Sequence, residues 1–276
     1  MSHEWTMKFM QHRVADKRIL RLIQKWLKAG VSEDGEWLET AVGTPQGSVI
    51  SPLLANVYLH YVFDLWVEAW RKKVATGEMI VVRYADDLVL GFEYRAEAEQ
   101  FRKQFEERLA KFGLELHEEK TRLIEFGRFA RQNRRQRGEG EPENFSFLGF
   151  RHQCGTSNRG YFTIWRQTVK QRLEAKLQQV KQTLRERMHA PVPEVGRWLE
   201  RVVKGFNQYH GVPGNSASLE RFVTRIGRYW RHVLKRRSQN GRLSAARIAR
   251  LFNRWLPRPR VVHPYPDVRF DARYPR

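Results

Sequence analysis

The 276-residue sequence predicts an α+β fold in two parts: a mixed helix–strand part over residues 1–165, and a basic helical part after it. Three observations predict it. Apolar residues recur at helical spacing along most of the chain, yet β-rich runs interrupt them only before residue 165. Apolar side chains make up 41% and include 16 Phe, 9 Trp and 9 Tyr, enough to bury a sizeable core. Charge is divided unevenly. Through Ile124 there are 18 basic and 19 acidic side chains, and beyond it 33 and 11, so the first 124 residues carry −1, the rest +22, and the chain +21.

The elements follow in order. Residues 15–28 read as a helix, because Ile19, Leu20, Leu22, Ile23, Trp26 and Leu27 fall at helical spacing. Residues 36–41 fit a short strand, followed by the loop Gly43-Thr44-Pro45-Gln46-Gly47-Ser48. Ser51 as N-cap and Pro52 at the first helical position start a helix that runs to residue 73. The runs 79–84 and 88–92, joined by a short acidic turn, make a hairpin. A helix over 95–112 stops at Gly113, short strands follow at 114–117 and 121–126, and 128–144 is a polar loop. Runs 145–153 and 161–165 form a second hairpin. From Gln167 the chain is helical, with breaks at 191–193 and 211–214, and its last twenty residues are Pro- and aromatic-rich and extended.

Composition narrows the function. No apolar run approaches the ~18 residues of a membrane span, and the first residues do not form a signal peptide, so a cytoplasmic protein is expected. The single cysteine, Cys154, excludes an internal disulfide framework and multi-cysteine zinc modules. Of the 51 basic residues 37 are Arg, whose planar fork suits phosphate. No polybasic stretch flanks an insertable apolar segment, which favours nucleic acid over a membrane surface as the polyanion.

Between residues 169 and 188, Val169, Leu173, Leu177, Val180, Leu184 and Met188 form one apolar seam. Residues 218–237 carry a sharper pattern. Leu219, Phe222, Val223, Ile226, Trp230, Val233 and Leu234 make one face, and Arg221, Arg225, Arg228, Arg231 and Lys235 cluster opposite, with Glu220 at the edge. A solvated face usually mixes signs, whereas like charges this close repel, so the arrangement makes most sense against phosphates. His152 and Cys154, two apart on a strand, are too few for a zinc site and read as ordinary strand residues. The Pro-rich tail from Trp255 reads as a strap along the helices, and a recognition segment is the other reading.

The adjacent Asp86 and Asp87 carry chemistry. Asp is a common turn residue, so the pair alone also fits simple loop closure. The functional reading is divalent-metal binding for phosphoryl transfer, in which Mg²⁺ takes one or two carboxylates plus substrate phosphates. Successive strand side chains point to opposite faces, so a two-metal site on this hairpin needs another carboxylate from a neighbouring strand.

The turn keeps particular company. Gly43-Thr44-Pro45-Gln46-Gly47-Ser48, then Ile50-Ser51-Pro52-Leu53-Leu54-Ala55-Asn56, then Tyr84-Ala85-Asp86-Asp87, resembles the palm of reverse transcriptases. Gly113-Leu114-Glu115-Leu116 with Lys120-Thr121, and Phe147-Leu148-Gly149-Phe150, continue the series in the same order. Arg197-Trp198-Leu199, Gly205-Phe206, Tyr209, Gly211 and Pro213-Gly214-Asn215-Ser216 look like the thumb, or maturase, region of bacterial group II intron-encoded reverse transcriptase/maturases. The resemblance implies a partial right-hand polymerase palm (1–165), an all-helical thumb/maturase module (166–256) and an extended tail (257–276).

It also implies roles. Asp86 and Asp87 would bind Mg²⁺, or Mn²⁺ in its place, and Lys120 would protonate or neutralise the departing pyrophosphate. Gln46 and Gly47 would lie near the templating base and incoming nucleotide, Tyr84 against the primer end, and Phe147, Leu148, Gly149 and Phe150 would form the primer grip. The implied partners are group II intron RNA, target DNA and dNTPs. In such relatives another metal-binding Asp lies on a strand before a segment resembling His3-Glu4-Trp5, with the fingers further upstream. This sequence is therefore expected to be an N-terminally truncated reading frame, or one whose assigned start falls inside a longer gene. Neither Asp16 nor Asp64 sits on a strand beside the hairpin to replace that Asp. RNA-directed DNA synthesis with help to splicing is thus set against a non-catalytic RNA-binding maturase, or a decayed remnant whose uncovered aromatic strand faces would make it poorly soluble.

Overall fold

A computed structural model describes residues 1–28, 31–33, 36–38, 50–157, 159–237, 243–266 and 268. The chain divides into two compact units, Met1–Leu123 and Ile124–Arg276, each mixing helices with small antiparallel sheets. The unit boundary coincides with the step in charge.

In the first unit, helix α1 (His3–Gln11) is capped by the Ser2 hydroxyl, which accepts from the Trp5 N–H. Helix α2 (Lys17–Lys28) follows, then strands β1 (Val31–Glu33) and β2 (Glu36–Leu38), paired antiparallel. Helix α3 (Ser51–Leu59) has Pro52 in its first turn, but its N-cap is Ile50 and Ser51 is already helical. Nor is the helix continuous to residue 73. A π-helical turn (His60–Asp64) separates α3 from α4 (Leu65–Lys73), re-registering the side chains beyond it. Tyr58, Val62, Phe63, Val67 and Trp70 bury one continuous face across that turn.

Strands β3 (Met79–Tyr84) and β4 (Asp87–Phe92) form the expected hairpin, and α5 (Arg95–Lys111) closes over it. Phe101, Phe105, Leu109 and Phe112 complete a core with Phe9 and Met79. The Glu97 carboxylate accepts from the Thr76 and Gly77 N–H groups and the Thr76 hydroxyl, which anchors the entry to β3 and keeps its pKa low. Gly113, at φ 66°, ends α5: its N–H donates to the Ala110 carbonyl, and that of Leu114 to Leu109. The strands expected at 114–117 and 121–126 do not form. Leu114 and Leu116 pack on the core, but the backbone curls at His117, whose carbonyl accepts from the Lys120 and Thr121 N–H groups instead of a neighbouring strand.

In the second unit the polar loop contains a short helix, α6 (Ala130–Gln136), ringed by local ion pairs: Arg131 with Glu141, and Arg137 with Glu125 and Glu139. Strands β5 (Phe145–Phe147), β6 (Phe150–Thr156) and β7 (Phe162–Thr168) form one antiparallel sheet. The expected hairpin is β6–β7, while the run 145–153 is itself folded at Leu148-Gly149. Helices α7 (Lys170–Glu186), α8 (Val192–His210), α9 (Ser216–Lys235) and α10 (Ala245–Trp255) follow, broken at Pro191 and Gly211. Leu173, Leu177, Val180 and Leu184 of the expected seam meet Leu219, Phe222, Ile226, Trp230, Val233 and Leu234 in the core. The tail is a strap: the Gly211 carbonyl accepts from the Val262 and His263 N–H groups. Among the described residues no helix is long and apolar enough to cross a membrane.

Candidate active site and nucleic-acid interface

The β3–β4 register pairs Tyr84 with Asp87 across the two-residue turn Ala85-Asp86. Directly opposed residues share a face. Met79, Val81 and Arg83 with Leu90 and Phe92 therefore turn inward, while Ile80, Val82, Tyr84 and Asp87 line the open face. Ala85 occupies φ 54°, a left-handed conformation that costs an L-residue about 1–2 kcal/mol.

What holds the turn is Arg83. Its Nε and Nη2 donate to the two carboxylate oxygens of Asp64 at 2.7 Å each, and its Nη1 donates to Asn56 Oδ1 at 2.8 Å and to the Ala85 carbonyl at 3.1 Å. One guanidinium thus ties the turn to α3 and to the π-helical turn, which presents Asp64. Asp64 is thereby committed to the scaffold. Asp86 and Asp87 are exposed, and among the described residues neither carboxylate accepts a hydrogen bond or joins an ion pair.

Two adjacent free carboxylates fit the oxygen-donor chemistry of Mg²⁺, which takes one or two carboxylates alongside water and phosphate. Among the described residues no cluster of three or more His, Cys, Asp or Glu side chains accompanies them. Lys120 is exposed in the turn after His117, and no hydrogen bond or ion pair joins it to Asp86 or Asp87 among the described residues. Gln46 and Gly47 lie outside the described residues.

In the second unit Phe147 pairs with Phe150 across Leu148-Gly149. Both central residues have positive φ, 48° and 81°, the signature of a type I′ turn. The tip is gripped from α8. Tyr209 Oη donates to the Leu148 carbonyl at 2.8 Å, and the Phe150 ring stacks on Tyr209 and leans on His210. The Val169 N–H donates to the Gly149 carbonyl at 3.0 Å.

Behind the tip lies a polar network. Asn215, almost fully buried, accepts from the Thr168 N–H and donates to the Thr168 hydroxyl and the His210 carbonyl, while His210 Nδ1 sits 3.2 Å from Thr168 Oγ1. Burial, with Arg172 nearby, pushes the His210 pKa down to about 4. His152 stacks flat on Phe145, and its pKa is lowered by burial. Cys154 exchanges weak hydrogen bonds with the Gly127 backbone.

Of the basic residues of α9, Arg221, Arg228, Arg231 and Lys235 are exposed. Arg225 is placed differently. It faces α7, its Nη1 donating to both carboxylate oxygens of Glu174 at 2.6 and 2.8 Å and its Nη2 to the Tyr229 hydroxyl.

Arg83, Asp64 and Asn56 escaped the reading of the sequence. The available signal was the inward register of Arg83: a cation on the core face of a strand requires a partner, and Asp64 stands among the buried Val62, Phe63 and Val67.

The profile of the reverse transcriptase (RNA-dependent DNA polymerase) family matches residues 1–152, and the chain belongs to that family. Within it, the similar proteins include two whose names refer to introns. Group II intron-encoded protein LtrA of Lactococcus lactis subsp. cremoris is 36% identical over 115 residues, covering 40% of this chain and 18% of that protein. Protein YkfC of Escherichia coli strain K12 is 33% identical over 115 residues, 32% of this chain and 30% of YkfC. An uncharacterized 91 kDa protein in cob intron of Schizosaccharomyces pombe is 41% identical over 58 residues, 21% of this chain and 7% of that protein. The matched stretches thus span less than a third of each relative's length.

Proposed function

We propose that the chain acts in a group II intron ribonucleoprotein as reverse transcriptase and maturase. The free, exposed carboxylates of Asp86 and Asp87, on a turn clamped by Arg83, carry the catalytic half of this reading. In a chain of the reverse transcriptase family, that geometry suits RNA-directed DNA synthesis. Mg²⁺ or Mn²⁺ bound there supplies the Lewis acidity that phosphoryl transfer needs. Asp86 and Asp87 would hold the ion, and Arg83 keeps their turn in one conformation. Tyr84, on the same open face as Asp87, meets the primer end, and the Phe147–Phe150 turn grips the primer strand. Gln46 and Gly47 serve the template and incoming dNTP, and Lys120 the leaving pyrophosphate.

The partners are intron RNA, target DNA and dNTPs, encountered in the cytoplasm. Division of labour follows a palm over 1–165, a thumb/maturase module over 166–256 and the tail over 257–276, with intron RNA held by exposed arginines such as Arg221, Arg228 and Arg231. Primer extension on an RNA template with Mg²⁺ tests the catalytic half. Extension that disappears in Asp86→Asn supports it, and extension unaffected by that substitution removes the turn from the chemistry.

A second reading is favoured by one observation: the second unit alone carries 33 basic against 11 acidic side chains. On it the chain binds intron RNA and steadies the spliced fold without polymerising. Salt-sensitive binding to a structured intron RNA, tighter than to random RNA, with no primer extension by the folded wild type, selects this reading.

A further inference from the structure

A groove of about 370 Å³ runs between α9, the C-terminal half of α10 and the start of the tail; two of its arginines, Arg228 and Arg231, are among those given above to intron RNA, but the concavity itself has no assigned ligand. Its size lies within the ~300–1,000 Å³ range of small-ligand sites. Gly227, Phe252 and Pro257 contribute its apolar surface, and Arg228, Arg231 and Arg258 stand around it.

The sequence builds this groove deliberately. A Cβ at Gly227 would come to 3.0 Å from the Phe252 ring, so glycine lets that ring lie a few tenths of an ångström closer to the α9 backbone than a larger residue would. Trp230 stacks on Phe252 at 5.8 Å and 20°, fixing its plane while leaving it half-buried. Arg228 and Arg231, three residues apart, share one face of α9. Arg258 comes from the tail, which is held by the hydrogen bonds to Gly211 and by Asn207 Nδ2 donating to the Arg258 carbonyl. None of the lining residues is acidic, and among the described residues no carboxylate pairs with any of the three arginines.

Three unpaired guanidiniums around one groove repel one another unless an anion joins them, and the planar fork of Arg matches phosphate. Phe252 and Pro257 give the groove an apolar wall against which the π-face of a base can pack. A paired base inside a duplex cannot enter such a concavity, whereas an unpaired one can be splayed out into it.

We infer that this groove captures a single unpaired nucleotide of the bound RNA, its base against Phe252 and Pro257 and its flanking phosphates between Arg228, Arg231 and Arg258. The inference rests on the RNA-binding reading and adds a local specificity to it, namely a bulge or loop nucleotide at a defined place on the second unit.

Two hairpin RNAs that differ only by one bulged adenosine test this, titrated into the full chain and followed by fluorescence anisotropy. Wild type is expected to prefer the bulged hairpin by about tenfold, the scale of one base–aromatic stack. Thr224→Trp fills the groove from an exposed position of α9 without removing charge. It should abolish the preference and leave affinity for the paired hairpin within about twofold, a change too small to count as a lost phosphate contact. Arg258→Gln should weaken binding to the bulged hairpin more than to the paired one. Equal affinity of wild type for both hairpins, or a preference that survives Thr224→Trp in a variant with unchanged circular dichroism, overturns the inference. Failure of wild type to bind either hairpin overturns the RNA-binding reading beneath it.

Discussion

Replacing Arg83 by Met, Asp64 by Leu, and then both, isolates the pair that holds the Asp86–Asp87 turn. Two charge-assisted hydrogen bonds of 2.7 Å join side chains that are 17% and 32% exposed. Fully exposed pairs couple by about 0.2–1 kcal/mol, and breaking a fully buried one costs about 3–5 kcal/mol. A bidentate pair at this depth lies between them, so a coupling of about 2 kcal/mol is expected. Arg83→Met alone also strips donors from Asn56 and the Ala85 carbonyl, and should destabilise the hairpin by about 2–3 kcal/mol. The assay is hydrogen exchange of the peptide covering residues 79–92 in the full chain, read as a local opening free energy for all four proteins. A coupling below about 0.5 kcal/mol would class the pair with ordinary surface ion pairs and refute the clamp.

Three further outcomes are expected. His210, its pKa held near 4, meets protons later than a histidine in the unfolded chain does. Stability should therefore fall as pH drops from about 6.5 to about 4 and level off below, the size of the fall being reduced by the solvent that reaches this half-buried ring. His210→Gln should flatten that segment of the urea midpoint against pH. Gly211→Ala would drive a Cβ into the Asn207 carbonyl first, and to 2.9 Å from Val262 and 3.0 Å from the Arg260 carbonyl, so the end of α8 and the strap should both loosen, at a cost of about 1–3 kcal/mol. Faster tryptic cleavage at Arg260, which precedes Val261, is the readout. Leu148→Asn places a residue favoured at the first central position of a type I′ turn where φ is 48°, and should raise stability by up to about 1 kcal/mol. Thermal unfolding checks it, and a lower midpoint would mean that the packing of Leu148 outweighs its backbone strain.

The helical module was the most legible part. Six of the seven apolar positions read on α9 are buried, the exception being half-buried Val223, because helical periodicity directly selects the face that meets the core. The hairpin around Asp86-Asp87 was legible for a similar reason, since two β-rich runs and a short polar turn allow few registers. Leu114 and Leu116 show where such reasoning ends. Their alternation correctly marks side chains that reach the core, but a strand also requires a partner, and that requirement is not local. Loop 128–144 failed in the other direction: its arginines find glutamates nearby in sequence, so a short helix forms where polarity alone suggested none.

What the sequence by itself determined is the set of helices with one-sided apolar faces, the acidic turn, the concentration of positive charge after Ile124, and the ordered motifs of the family. These rest on local periodicity and composition, which act before any tertiary contact exists. Tertiary structure alone decided which charges remain free. Asp64 and Arg225 look as available in the sequence as Asp86 and Arg228, yet the π-helical turn delivers Asp64 to Arg83, and the packing of α7 on α9 delivers Arg225 to Glu174. A charge is free or spent according to what the fold brings within about 3 Å of it, the reach of a hydrogen bond, and no pattern along the chain contains that distance.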